Sequence, residues 1–485
     1  MTKSLMMKIP VLLILLILCG CQTVPVQTLP PLEEEGEVFV YLQPFPREAG
    51  NLRISLAGLA AHREDGTQIP LLLPLNEVMG TDMTRQRMIA SGRLPAGQYD
   101  GFVFTVKSAA VKTERGLVAL TVPDTPQKRN FTFKVEKKRA LVITLTLNYA
   151  GSLVSESTFD PQFNIATPSH PLAEVLGYVA NTDRNTITVF DKMLLQAVGV
   201  IETGEAPRGI AIDQRLRRAY IVLSREDTIE VLDLRDQSVL ARIMLRRIDN
   251  PQEAALTPDG LTLLVADIDS DTVSVIDTGT LVETDRIVLT QQTAPAQQTA
   301  PSQGGRGPTS LVIDRTGRKA YVVNSRSDNI SVIDISRRQV IGTISTGPEP
   351  VRAQFNSAGS LLYVIHAWYP HMFAIDPASF SVVKRVFIGT GAASLKVDAR
   401  TDLIYVGKKN DTAVTVYNPF TLSSVDSIPT GGTAGFMSID NETNNLYVIV
   451  AGRRVLMVVN LSSRKSISEI DVNEHPTWVS VMGEQ

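Results

Sequence analysis

Short runs of alternating apolar and polar residues, separated by turn residues, make up most of the chain. A typical example is AYVVNSRSDNISVID at Ala320–Asp334, where two runs rich in Val and Ile flank a polar turn. A period of two is typical of half-buried β-strands, and Asn and Asp favour turns because they bond their own backbone. Since the pattern recurs at Gly177–Asp191 and Leu403–Asn418, it predicts a repeated hairpin in an all-β protein.

The hairpins recur at a nearly constant spacing. Each second run ends in Asp or Asn, and successive ends are 42, 44, 57, 42, 42 and 42 residues apart: Asp191, Asp233, Asp277, Asp334, Asp376, Asn418 and Asn460. A period of about 40–45 residues is that of a four-stranded propeller blade. The long step contains a low-complexity insertion at 290–307, which has no side chains to build a core. The spacing therefore predicts a seven-bladed β-propeller over residues 169–485.

The two ends of the repeat region are complementary. The repeats begin at Gly177 with a second-strand sequence, and the chain ends with HPTWVSVMG, which has the pattern of an innermost strand. We therefore expect Trp478–Met482 to complete the blade that Tyr178–Asn181 begins.

Residues 175–485 resemble the YVTN-type β-propeller repeat family. The resemblance is carried by YVAN at 178–181, YVVN at 321–324 and the SVID segments at 274–277 and 331–334. The motif changes to YVIH at 363–366 in the fifth unit and weakens to YVIV at 447–450 in the seventh. The resemblance implies the propeller fold, and propeller lactonases share this repeat architecture.

Residues 37–168 lack this period. Their short alternating runs, bounded by turn residues, predict an Ig/prealbumin-like β-sandwich. The segment Gly92–Val111, with its LPAG-x-Y turn, resembles an uncharacterised sandwich family of secreted bacterial lipoproteins, which implies architecture and no chemistry.

The N-terminus has the pattern of a secretory signal. Lys3 and Lys8 accompany the apolar run Ile9–Cys21, and its end, LCGC, resembles a bacterial lipobox. That resemblance implies that residues 1–20 are removed, that Cys21 is acylated and inserts in a lipid membrane, and that residues 21–36 form a tether. Gln22, in place of Asp, then favours the outer membrane of the cell envelope. An ordinary signal peptide with an incidental cysteine is the alternative.

Composition narrows the possible chemistry. Cys19 and Cys21 are the chain's two cysteines, so the mature chain has no disulfide, thiolate metal site or Cys nucleophile. The formal net charge of −3 gives no basic footprint for nucleic acid. We expect no cofactor and no metal. The DIDSD run at 267–271 resembles the start of a calcium loop, but Thr272 and Thr278 replace the required Gly and Glu, which favours a solvated turn.

In a propeller, the turns between second and third strands open on the same face as the start of the innermost strands. These turns contribute Asp183, Asp227, Asp267, Asp269, Asp271, Arg326, His366, Trp368, Tyr369, His371, Lys408, Lys409, Arg453 and Arg454. The channel mouth contributes Gly209, Glu253, Ser310, Arg352, Ser394, Phe436 and Trp478. Acidic turns lie on the early blades and basic turns on the late ones.

The fifth unit replaces the usual small polar turn with HAWYPH at 366–371. Aromatic faces rimmed by charge suit a carbohydrate or a peptide. We therefore predict a non-catalytic module that binds an envelope protein or polysaccharide, with binding residues Trp368, Tyr369, His371, Trp478, Phe436, Arg352 and Glu253. Packing of Trp368 and Tyr369 on a neighbouring loop is the alternative interpretation.

A hydrolase of lactonase type is the second functional hypothesis. It would use Glu253 and Arg352 at the channel mouth, with His366 or His475. Convergence of these groups on one open pocket would favour the enzyme, whereas a channel filled by Trp478 and Phe436 would favour a binding module.

Overall fold

The computed structural model describes residues 30, 32–155, 157–169, 171–290 and 304–484. The expected signal peptide, Cys21, and most of the tether and of the insertion lie outside the described residues. Among the residues described, no helix combines the length and the apolar character needed to span a membrane.

The N-terminal region contains two larger sheets that share one apolar core, and a separate sheet of two short strands. One sheet has the strand order β12-β9-β1-β5; the other has the order β3-β2-β6-β7, with β4 added to β2 and β8 to β6. Its elements are β1 (Glu35–Leu42), β2 (Leu52–Arg63), β3 (Gln68–Pro70), β4 (Glu77–Met79), β5 (Arg87–Pro95), β6 (Gly97–Thr113), β7 (Gly116–Leu120), β8 (Gln127–Val135), β9 (Ala140–Leu147), the short helix α1 (Tyr149–Ser152), β10 (Leu153–Ser155), β11 (Thr158–Phe159) and β12 (Phe163–Ala166).

In the described part of residues 171–484, 28 strands form seven antiparallel four-stranded sheets. They are numbered here in chain order, and the first sheet contains the last strand. The first sheet contains β13 (Leu176–Asn181), β14 (Thr186–Asp191), β15 (Gln196–Glu202) and β40 (Pro476–Val481); the second contains β16 (Pro207–Asp213), β17 (Arg218–Leu223), β18 (Thr228–Asp233) and β19 (Ser238–Met244). The third contains β20 (Pro251–Leu256), β21 (Thr262–Asp267), β22 (Thr272–Asp277) and β23 (Val282–Val288); the fourth contains β24 (Pro308–Ile313), β25 (Lys319–Asn324), β26 (Asn329–Asp334) and β27 (Gln339–Ser345). The fifth contains β28 (Pro350–Phe355), β29 (Leu362–His366), β30 (His371–Asp376) and β31 (Ser381–Phe387); the sixth contains β32 (Ala392–Val397), β33 (Ile404–Lys408), β34 (Ala413–Tyr417) and β35 (Ser424–Pro429); and the seventh contains β36 (Met437–Asp440), β37 (Asn445–Val450), β38 (Val455–Asn460) and β39 (Lys465–Asp471).

The Asp or Asn that marks each repeat initiates the turn into the outermost strand of its sheet. Asp191 Oδ1 accepts hydrogen bonds from the backbone N–H groups of Met193 (2.7 Å) and Leu194 (2.9 Å). Asp334 Oδ1 accepts from Arg337 N at 2.9 Å in the same way. The repeat spacing therefore follows from a turn that needs a short side-chain acceptor at one position in each sheet.

The predicted pairing of the chain's last strand with the first repeat is confirmed. β40 pairs antiparallel with β13, with Gly177 opposite Val481 and Val179 opposite Val479. The innermost strands contact one another in order from β16 to β36, and β40 contacts both β36 and β16, so the series of contacts closes on itself. This arrangement is an all-β, propeller-type fold.

Strand β1 joins the N-terminal region to the repeat sheets because both of its faces are buried. Val38 and Val40 point into the N-terminal core, whereas Phe39 and Tyr41 pack in a second cluster with residues of the first and seventh sheets, including Tyr447. The alternation of a strand accounts for this division, since successive side chains point to opposite faces.

Polar contacts extend the same interface. The Gln86 side chain accepts from Ala197 N at 2.9 Å and donates to Ala197 O at 3.2 Å, so it acts as a pairing partner for β15. Arg184 forms a buried ion pair with Glu37. Burial, together with the nearby Glu37 carboxylate, raises the pKa of Glu202 to about 8.

Candidate functional site

Four of the predicted residues meet at the inner ends of the sheets, and we call Glu253, Arg352, Phe436 and Trp478 the channel-mouth cluster. Arg352 Nη1 lies 2.9 Å from Glu253 Oε2. The rings of Phe436 and Trp478 stack with centroids 3.7 Å apart. The Arg352 guanidinium lies 4.6 Å from the Phe436 centroid and 5.0 Å from that of Trp478, distances at which a cation interacts with an aromatic face.

The cluster is largely closed to solvent. Trp478 is 9% exposed, and its Nε1 donates to Ser480 Oγ at 2.9 Å and to Ile210 O at 3.2 Å. Glu253 is also buried; its burial raises its pKa, and the Arg352 guanidinium opposes that rise. The carboxylate and the guanidinium of the cluster therefore satisfy each other, and the two stacked rings lie beside them on the wall of a cavity.

A cavity of about 360 Å³ continues from the cluster along the innermost strands. Its far end is lined by Gln214, Gln354, Lys396 and Glu484. There Lys396 forms an ion pair with Glu484, and Gln214 Nε2 donates to the Glu484 carbonyl at 2.6 Å. The last described residue of the chain thus lies across this end of the cavity.

His366 is buried in the fifth sheet and is not among the residues that line this cavity. Its Nε2 accepts a hydrogen bond from Gly347 N (3.1 Å), and its Nδ1 donates to His371 O (2.9 Å). Burial lowers the pKa of His366, which favours the neutral ring that this hydrogen-bond pattern requires. With both ring nitrogens engaged, His366 holds the turn together.

The turn after His366 presents aromatic side chains to solvent. Trp368 is 68% exposed. Tyr369 is half-buried, packing edge-on against the His366 ring at 5.7 Å, and His371 contacts Phe387 of β31 at 5.7 Å. We call Trp368, Tyr369, His371 and Phe387 the fifth-sheet aromatic patch.

Sequence reasoning missed Phe387, which is 72% exposed. The signal was present in β31 itself, where Phe387 ends a largely exposed outermost strand, although a bulge in its pairing with β30 breaks the alternation of the strand. An aromatic residue at a solvent phase of an outermost strand is informative because burial does not explain it.

Several acidic turn residues serve the backbone. Asp227 accepts from Ile248 N and Asn250 N, both at 2.8 Å, and Asp271 accepts from Gly307 N at 2.7 Å. Asp267 ends β21 in a buried position, and burial raises its pKa to about 8.

Other charged turn residues are paired. The pairs are Asp269 with Arg326 (2.7 Å), Asp183 with His475 (3.2 Å), Arg453 with Glu469 (2.7 Å) and Arg454 with Glu474 (3.0 Å). The charges of these acidic and basic turns are therefore partly neutralised by ion pairs within the protein. At the remaining predicted positions, Lys409 is exposed, Lys408 half-buried, and Ser310 and Ser394 buried, while Gly209 lies beside the Glu253 backbone.

No group of three or more His, Cys, Asp or Glu side chains within the described residues is arranged to hold a metal ion. In particular, the ring nitrogens of His366 are occupied by backbone partners.

No protein-family model and no curated protein matches the sequence. Among solved structures, a functionally unknown protein from Desulfotomaculum acetoxidans DSM 771 is similar at 15% identity with a TM-score of 0.53, over 64% of this chain and 99% of that one. The Kuenenia stuttgartiensis hydrazine synthase matches at 20% identity (TM-score 0.49, 56% and 88% covered), and the dihydro-haem d1 dehydrogenase NirN in complex with DHE at 15% (0.49, 66% and 78%). At such identities, the likeness to the Desulfotomaculum protein supports the fold alone.

Proposed function

We propose that this protein is a lipid-anchored component of a bacterial cell envelope that binds a polymeric partner without catalysis. In this proposal, residues 37–168 form an Ig/prealbumin-like β-sandwich near the membrane, and residues 169–485 form a seven-bladed propeller of the YVTN type. Acylated Cys21 and the tether of residues 21–36 attach the molecule to the membrane, with the outer membrane favoured by Gln22.

The observation that carries the proposal is the exposed Trp368 indole on an anchored turn. His366 and Tyr369 fix the backbone on either side of it through the hydrogen bonds and ring contacts given above. With the backbone of the turn already fixed, binding by Trp368 has to order only its two side-chain torsions, which lowers the entropic cost. Phe387, which is 72% exposed, is a second exposed aromatic face of the fifth sheet, and exposed aromatic faces suit sugar rings, so we favour a polysaccharide over a protein partner.

The hydrolase hypothesis has less support. Glu253 is paired with Arg352, and both line the cavity of about 360 Å³ together with the stacked rings of Phe436 and Trp478, but no histidine is among the described residues that line it. His366 is committed to the turn of the fifth sheet, and His475 pairs with Asp183. The groups that a lactonase-type site would need are thus separated or already engaged with one another.

Binding can be tested with Trp368→Ala and Phe387→Ala, using sedimentation with purified peptidoglycan and with purified outer-membrane polysaccharide. We expect each substitution to lower the bound fraction, because each removes an exposed face of the patch. Phe420→Ala is the matched control, since Phe420 is 88% exposed and lies in the turn between β34 and β35 of the sixth sheet. Equal losses in all three variants, or no binding by the unmodified chain to either polymer, would refute this role.

Anchoring needs a separate test. Intact-mass measurement of the protein from membranes is expected to give a chain that begins at Cys21 and carries acyl groups. Cys21→Ser should prevent both the cleavage and the acylation and shift the protein out of the outer-membrane fraction. An unacylated mature chain would favour the ordinary signal peptide instead.

A further inference from the structure

A cleft between the N-terminal region and the seventh sheet gathers arginine side chains from both sides. Its volume is about 620 Å³, and its lining includes Arg85 and Arg87 from the N-terminal region with Arg453 and Arg454 from the turn between β37 and β38. Leu75 and other apolar residues form part of the same wall. The cleft lies outside the fifth-sheet aromatic patch, so the inference does not depend on the proposed polysaccharide binding.

The cleft holds one more positive than negative charge. Glu469 pairs with both Arg85 and Arg453. Asp471 pairs with Arg85 and Arg87, and Glu474 with Arg454. The four guanidinium groups therefore share three carboxylates.

Two of the arginines retain hydrogen-bond donors. Arg87 contacts Asp471 through Nε at 3.2 Å, and Arg454 contacts Glu474 through Nη1 at 3.0 Å. Within the part of the chain that the structure describes, Nη1 and Nη2 of Arg87 and Nη2 of Arg454 have no protein partner. The Arg87 and Arg454 side chains are 27% and 51% exposed, so these donors are accessible to a ligand.

The backbone of Arg454 provides an independent argument. Arg454 has a left-handed conformation with φ of 53°. Asn and Asp are the non-glycine residues that this conformation favours. The equivalent turns use such residues, and their side chains accept a backbone N–H from the following loop, as in Asn185, Asp227, Asp271 and Asp328. Arg454 cannot accept a hydrogen bond; it makes the equivalent link by donating from Nη1 to Glu474 of the following loop at 3.0 Å, and this link leaves its Nη2 unused.

We propose that this cleft binds a ligand that carries a phosphate group. Arg87 on one wall and Arg454 on the other supply charge-assisted hydrogen bonds from different directions, which suits a tetrahedral anion with several acceptor oxygens. The apolar residues of the wall accommodate the group attached to the phosphate. The phosphate can belong to a phospholipid headgroup or to a soluble ion, and recognition by the two arginines is common to both.

The test uses the full chain purified in detergent and calorimetric titration with inorganic phosphate, glycerol 3-phosphate and a short-chain phosphatidate at constant ionic strength. Arg87→Gln and Arg454→Gln are expected to weaken binding by about tenfold each, the loss typical of a charged hydrogen bond. Arg337→Gln is the matched control, because it removes the same charge from a side chain that is 74% exposed in the fourth sheet.

Arg454→Asn separates a ligand role from a structural one. Asn suits the left-handed backbone better than Arg, so this variant should retain or raise thermal stability while it loses phosphate affinity. Tighter binding of the phosphatidate would identify a lipid headgroup, and equal affinities would identify the free anion. The proposal is overturned if none of the three ligands binds, or if Arg454→Asn and Arg337→Gln bind alike.

Discussion

The channel-mouth cluster and the fifth-sheet aromatic patch each combine aromatic and ionisable side chains, but they differ in access to solvent. Trp478 is 9% exposed and bonded to Ser480, whereas Trp368 is 68% exposed. In the cluster, the aromatic rings stack on each other beside an ion pair and line the cavity where the sheets converge. The comparison shows that an aromatic residue near a channel can serve packing, whereas one on an anchored external turn remains available for binding.

The same distinction divides the fifth-sheet turn itself. His366 occupies the position of Asn324 in the fourth sheet, where Asn324 Nδ2 donates to Asn329 Oδ1 (2.8 Å) and Ser331 Oγ (2.9 Å). His366 performs a comparable bridging role with its two ring nitrogens. A departure from the repeat motif can therefore preserve a structural role, as at His366, or add surface chemistry, as at Trp368.

The largest effect is expected from deletion of Pro476–Gln485. The deletion removes Trp478 from the cluster and β40 from the first sheet, which leaves the β13 edge unpaired. We expect the single cooperative transition to be lost in thermal unfolding monitored by circular dichroism. A melting curve like that of the full chain would show that the cluster does not stabilise the fold.

Arg352→Ala should follow in size. The substitution leaves the buried Glu253 carboxylate without its partner, which costs about 3 kcal/mol in the free energy of unfolding. Adding Glu253→Gln should restore part of that loss, because a neutral amide is easier to bury. Urea unfolding of both variants provides the measurement, and an unchanged midpoint for Arg352→Ala would contradict the packing role of the cluster.

His366→Ala is expected to lower the free energy of unfolding by about 2 kcal/mol, since two buried backbone groups lose their partner. His366→Asn should cost less, because Asn fulfils the bridging role at position 324. Urea unfolding at neutral pH compares the two variants. Equal destabilisation by both would show that the equivalence of the two turns is wrong.

The pH dependence of His366 should have a definite sign. Burial lowers its pKa below the ordinary value of 6.5, so its contribution is present above about pH 6.5 and is lost as the pH falls through the folded-state pKa. The stability difference between the unmodified chain and His366→Asn should therefore shrink on acidification. A difference that grows as the pH falls from 7 to 5 would contradict a buried neutral ring.

Trp368→Ala should have the smallest effect on stability, under about 0.5 kcal/mol, because the side chain is exposed. Thermal unfolding alongside polysaccharide sedimentation makes the comparison direct: stability should persist while capture falls. A loss of stability comparable with that of His366→Ala would show that Trp368 packs against the protein as Trp478 does.

Features set by local chemistry could be predicted from sequence. The Asp191-type turns follow from short acceptor side chains at a fixed spacing, and the pairing of β40 with β13 follows from complementary ends of the repeat. The burial of His366 was harder to predict, because the HAWYPH segment alone does not show which of its side chains continues the strand. The meeting of Arg87 with Arg454 could not be predicted, since it depends on how the N-terminal region packs on the seventh sheet.

The pairing of β13 with β40 also has a consequence for biosynthesis. Among the repeat strands, β13, β14 and β15 are synthesised first, and β40 only after the strands of the other six repeat sheets. Until then, the nascent chain carries an open β13 edge, which is a template for incorrect pairing. An interrupted translation product would retain that edge, which distinguishes unfinished chains from finished ones for chaperones and proteases.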